Sequence, residues 1–114
     1  MTGPLFQVTT ALDADVAALR LAGELDLDTA VRLRAAIAEC FARRPPRVLL
    51  DLWDLRFCDC GGLNVLLEAR SVADRIGTEV RMEGACGQVA RLFALTGVDE
   101  LFSDGVPRLP PRTV

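Results

Sequence analysis

Histidine, lysine and tyrosine are missing altogether from this 114-residue chain. Without histidine it lacks the commonest general base and a favoured metal ligand. Without lysine, all thirteen positive side chains are arginines; only Arg43 and Arg44 are neighbours, and the net charge is −3. No basic stripe interleaved with aromatics exists, so nucleic-acid binding is disfavoured. No run of eighteen apolar residues occurs, and the opening MTGPLFQVTT lacks the basic-then-apolar order of a secretion signal. Direct membrane binding and export are therefore not expected, and a cytoplasmic location follows by default. The phosphate-cradling pattern GxxxxGK[ST] is absent too, as is a nucleophile–base pair, which argues against an independent enzyme.

The four cysteines stand at 40, 58, 60 and 86. Nothing indicates secretion, so a disulfide framework is not expected. Cys58 and Cys60 would point in opposite directions in an extended chain, which places them poorly for pairing. With neither CxxC nor a Cys/His set, a zinc site has little support. No cofactor or metal is expected, and most of the cysteines read as small core residues.

What is present is an ordinary globular composition, 51% apolar and 25% charged, in a length that suits one domain. Residues 1–103 are expected to form it, with 104–114, rich in proline, as a flexible tail. Residues 5–10 read as a short strand, with Phe6 and Val8 on one face. Residues 12–15, with two aspartates, read as a turn, and 16–22 as a second strand whose Ala17, Leu19 and Leu21 alternate with Arg20. Residues 23–29 form an acidic turn ending at an N-cap, Asp28 or Thr29. From Ala30 to about Arg43, Leu33, Ile37, Cys40 and Phe41 recur at helical spacing, and Pro45-Pro46 stops that helix. Residues 47–52 fit a strand buried on both faces.

Trp53-Asp54-Leu55 is expected to bend the chain, and the apolar strand to end at Phe57. A turn follows through Cys58-Asp59-Cys60-Gly61-Gly62, and a helix starts at Leu63. Asn64, Glu68, Ser71 and Arg75 form its polar stripe, and Gly77 ends it. Residues 78–83 alternate as a strand. Val89, Leu92 and Phe93 mark another helix closed by Gly97, and residues 99–102 a last turn. The order β-β-α-β-α-β-α implies an α/β sandwich whose functional loops lie at the carboxyl ends of parallel strands. Two loops, 24–29 and 58–62, share that edge, so Glu24, Asp26, Asp28 and Asp59 are expected to cluster there. A strand-to-helix junction also offers free N–H groups at the positive end of a helix dipole.

Three segments, GELDLDTAVRLRAAI, RVLLDLWDLRFCDCGGLNVLL and VARLFALTGVDELF, occur in an order that resembles the STAS domain, and more narrowly the bacterial anti-sigma factor antagonists. The resemblance implies a STAS-like sandwich: a mixed four- to five-stranded sheet with an N-terminal β-hairpin and three to four helices packed mainly on one side. It also implies a non-enzymatic, partner-switching regulator of transcription that binds an anti-sigma factor, itself a serine kinase of the GHKL type, and so influences release of a sigma factor. In that family the kinase phosphorylates a serine after the aspartate of a D-S-S-G-L motif. The matching stretch here is Asp59-Cys60-Gly61-Gly62-Leu63. Cys60 stands where the phosphorylated serine would be, with no hydroxyl, and Gly61 replaces the second serine.

The expected partner-binding residues are therefore Glu24, Asp26, Asp28, Asp59, Cys60, Gly61, Gly62, Asn64 and Glu68, with Thr29 and Ser71 as fallback phosphate acceptors. Asp59 also suits a helix N-cap; Asn64 and Glu68 also suit a plain solvated stripe. Two alternatives stay open: an accessory subunit of a lipid ABC transport complex, and a redox-responsive module built on Cys60. A weak homodimer also stays open.

Overall fold

Alternating apolar residues and two antiparallel or parallel neighbours per inner strand organise the sheet of this chain. The structure, a computed structural model, describes residues 6–102; the expected tail, and Leu5 of the expected first strand, lie outside them. Strands β1 (Gln7–Leu12) and β2 (Val16–Leu25) form the anticipated hairpin. Asp13 closes its turn by accepting the amides of Asp15 (2.8 Å) and Val16 (3.0 Å). Those bonds, the Val16 one first, hold the Asp13 carboxyl below its usual range. Helix α1 (Ala30–Ala42) leads to β3 (Arg47–Cys58), α2 (Cys60–Ile76), β4 (Glu79–Glu83), α3 (Gly87–Thr96) and the short α4 (Val98–Leu101).

The four strands lie in the order β1-β2-β3-β4, with β2, β3 and β4 parallel. One face is apolar and covered: Ala17, Leu19, Leu21 and Leu25 of β2 and Val48, Leu50 and Leu52 of β3 meet Leu33, Ile37, Leu66 and Val89 from the helices. The other face carries charge, with Arg20 on Asp51 at 3.5 Å and Arg47 on Glu79 at 3.7 Å. This is the mixed sheet with an N-terminal hairpin and helices on one side that the family resemblance implied.

Strand β1 runs to Leu12, two residues past the expected end, and three further boundaries differ from expectation. Strand β2 continues through Gly23, Glu24 and Leu25, which read as an acidic turn, because these residues pair in parallel with Leu55, Phe57 and Cys58. Their inward alternation persists to Leu25, which is fully buried. Strand β3 does not bend away at residues 53–55. It carries two extra residues relative to β2, one between Asp51 and Asp54 and one between Leu55 and Phe57. Such bulges kink a strand without ending it, and here they change the buried spacing from every second residue to every third, at Leu52, Leu55 and Cys58. Finally, α2 begins at Cys60 and not Leu63, so both glycines belong to its first turn.

Candidate protein-docking site

The junction after β3 is built by one side chain. Asp59, in extended conformation (φ −109°, ψ −173°), caps α2 by accepting the Gly62 N–H at 3.0 Å. Its own N–H donates to the Leu25 carbonyl at 3.1 Å, so the cap is tied to the end of β2. The glycines then bring the helix close to that strand. A Cβ on Gly61 would lie 2.9 Å from Leu27 Cα, and one on Gly62 2.6 Å from Leu25 Cγ. Neither glycine has a positive φ; both are small because Leu27, at Gly61, and Leu25, at Gly62, pass too close for a Cβ. Gly62 is buried, so the close approach it permits is internal, whereas Gly61 stays partly open.

The second loop, between β2 and α1, is locked by a reciprocal pair. Asp26 Oδ1 accepts the Thr29 N–H at 2.9 Å, and the Asp26 N–H donates to Thr29 Oγ1 at 2.9 Å. Thr29 Oγ1 also lies 3.0 Å from Asp26 Oδ1 and 3.1 Å from the Glu24 carbonyl. The Thr29 backbone bond and then its hydroxyl hold the Asp26 carboxyl below the usual carboxylate range. Thr29 occupies the cap position of α1 but makes no cap bond with its side chain, because its hydroxyl is engaged within the loop.

The expected carboxylates thus have separate tasks. Asp26 and Asp59 serve their own loops, Glu24 is exposed on β2, and Asp28 is exposed beyond it. Among the described residues no group of three or more Cys, Asp or Glu is placed to hold a metal ion. Asn64 is exposed on α2. Glu68 is exposed but engaged, accepting from Arg34 Nε at 3.0 Å and Nη2 at 3.3 Å. Ser71 is exposed farther along the same helix.

Cys60 is exposed as the first residue of α2, and Cys86 is exposed at the cap of α3, while Cys40 and Cys58 are buried; all four are free thiols. Burial pushes the Cys58 thiol up to about 12, with Asp59 and Cys60 adding to the effect. Cys40 is raised mainly by burial as well.

Three contributors escaped the sequence reading. Gln88 grips the end of β3 with its side-chain amide: Oε1 accepts the Cys58 N–H at 3.0 Å, and Nε2 donates to the Cys58 carbonyl at 2.9 Å. This replaces a neighbouring strand where β4 has already stopped at Glu83. Leu27, 71% exposed, and Phe57, 36% exposed, add apolar surface at the same edge. A leucine isolated between Asp26 and Asp28 was the one local signal for Leu27; Gln88 had none.

No described helix is long and apolar enough to cross a membrane. A family model described as "Mlab, STAS domain" matches residues 8–105. The anti-sigma-F factor antagonist RsfB of Mycobacterium tuberculosis is 36% identical over 97 residues, spanning 83% of this chain and 77% of that protein. An anti-sigma F factor antagonist of Paenibacillus polymyxa is 32% identical over 81 residues, 70% of this chain and 69% of its own length. The crystal structure of an anti-sigma factor antagonist from Mycobacterium paratuberculosis superposes with a TM-score of 0.74 at 27% identity, covering 90% of this chain and 87% of that one. With the sheet, the capped junction and these relatives in agreement, the chain belongs to the STAS domain family of anti-sigma factor antagonists.

Proposed function

We propose that this chain acts as an anti-sigma factor antagonist that docks a GHKL-type serine kinase through the carboxyl edge of β2 and β3, and that the kinase cannot switch it off at the usual position. The observation that carries the reading is the joining of two loops into one surface. The Asp59 N–H holds the Leu25 carbonyl, and Gly61 lies against Leu27. Around this joint, Leu27 and Phe57 offer apolar contact, Asp28, Cys60 and Asn64 a polar rim. That combination of apolar centre and polar margin suits a protein partner, and nothing in it resembles a catalytic constellation.

At Cys60 a serine would present a hydroxyl to the kinase. A phosphoryl group there adds about 1.5 to 2 negative charges at neutral pH, next to Asp59 and on the helix turn whose Gly61 lies against Leu27 of the acidic loop. The thiol leaves the surface in its unmodified, binding form. Thr29 is a poor substitute acceptor, since its hydroxyl is engaged by Asp26. The relatives at 36% and 32% identity are anti-sigma factor antagonists, which supports this reading over the transport-complex one. The redox reading loses Cys58 as a ready partner for Cys60, because its buried thiol is held at about 12.

The test is incubation with the cognate anti-sigma kinase and ATP. The expected result is a stable complex on gel filtration with no phosphate on the wild type, while Cys60→Ser accepts phosphate and then leaves the complex. Stoichiometric phosphorylation of the wild-type chain would overturn the proposal.

A further inference from the structure

Away from the docking edge, α1 and α2 diverge to leave an open groove of about 420 Å³. Its walls are Ile37 and Phe41 from α1 and Val65, Ala69, Val72 and Ile76 from α2. The volume and the apolar lining are those of a small-molecule site, which needs few polar groups to orient a ligand. Two polar features bound it. The Arg34–Glu68 pair stands at the end nearest the start of α2, and Arg44 stands at the other.

Arg44 is the second, independent observation. Helices α2 and α3 are closed by glycines in the left-handed conformation, Gly77 at φ 76° and Gly97 at φ 78°. After α1 the left-handed position is filled by Arg44, at φ 50°, the one such non-glycine among the described residues. An arginine there is strained where a glycine would not be. Arg44 also makes no ion pair among the described residues, unlike Arg34 at the opposite end. A strained, solvent-exposed cation with no ion partner among the described residues, at the mouth of an apolar groove, is complementary to an anion carrying an apolar chain.

We infer that the α1–α2 groove binds a single-chain anionic amphiphile, a long-chain carboxylate taken up as a monomer from solution, with its chain against Phe41 and Val72 and its head group on Arg44. Of the residues expected to bind the partner, the groove includes Glu68 alone, and its test needs no partner protein.

Dodecanoate, kept below its micelle-forming concentration, is titrated into the isotopically labelled chain and followed by amide NMR and calorimetry. One molecule is expected per chain, with saturable shifts confined to α1 and α2 around Ile37, Phe41, Ala69 and Val72. Arg44→Gly relieves the strained position, so it is expected to melt no lower than wild type while binding at least tenfold more weakly. Ala38→Trp, at an exposed position lining the groove, is expected to abolish binding by filling the space. Dodecanol, which has no charge, is expected to bind at least tenfold more weakly than the acid. Absence of saturable binding, equal affinity in Arg44→Gly, or shifts located elsewhere would each overturn the inference. So would binding to phosphatidylglycerol vesicles without binding to monomeric dodecanoate.

Discussion

At Asp26 the fold holds the ionised form of the side chain, through the Thr29 amide first and its hydroxyl second. A carboxyl whose folded pKa is depressed stabilises the protein above its unfolded value, 3.8 here, and loses that contribution as pH falls through the lower folded value. Asp26→Asn keeps an acceptor oxygen but removes the charge. Denaturation midpoints of wild type and Asp26→Asn are therefore expected to differ at pH 7 and to converge at acid pH below 3.8; a gap independent of pH would contradict this. The cysteines divide on a different physical basis. Cys60 and Cys86 are exposed, Cys40 and Cys58 buried with raised pKa values. A thiol reagent at neutral pH is expected to modify two cysteines rapidly and the other two only after unfolding, as mass spectrometry of intact protein would count. Rapid modification of Cys58 would show that the end of β3 opens in the native state.

The end of β3 is an element-scale problem, because the strand outruns its neighbour β4 and leaves backbone groups to be satisfied. Gln88 supplies both bonds to Cys58. Removing a partner from buried polar groups costs about 1–3 kcal/mol, so Gln88→Ala is expected to lower unfolding free energy by that amount and to speed hydrogen exchange at the Cys58 amide. Unchanged exchange there would mean water satisfies the strand end equally well. This contact was invisible in the sequence, since a glutamine in an amphipathic helix carries no sign of what it reaches 30 positions away. The elements that were legible were those with a regular period. Leu33, Ile37, Cys40 and Phe41 announced α1, and Asp59 announced the cap of α2. The stretch from Gly23 to Leu25 looked like a turn because glycine and acidic residues are poor strand formers, yet pairing with β3 overrides that preference. Cys60, Gly61 and Gly62 looked like loop for a similar reason: glycine is a weak helix former, and here the packing against Leu25 and Leu27 decides. The bulges of β3 broke the two-residue period and so read as a bend.

For the whole molecule, the surface opposite the helices and the docking edge differ in what they can contribute. The ion pairs Arg20–Asp51 and Arg47–Glu79 lie on a solvated sheet face, where each contributes roughly 0–1 kcal/mol. The proposed docking edge instead exposes Leu27 and Phe57. Leu27→Asp, at a side chain largely in water, is expected to change stability by no more than about 0.5 kcal/mol, while weakening co-elution with the anti-sigma kinase at least tenfold; undiminished co-elution would move the interface elsewhere. The candidate surface was partly legible, because Asp59 through Gly62 and the acidic loop were picked out by residue type. Their division into structural and free groups was not, because it depends on which amide each carboxylate faces. Within residues 59–62 the Cys60 side chain makes no hydrogen bond among the described residues: the helix is capped by its predecessor, and the two glycines that follow are held by contacts with residues 25–27. Under the proposed function, exchanging sulfur for oxygen there is a one-atom edit that alters what the protein can be told, while leaving untouched the architecture that does the listening.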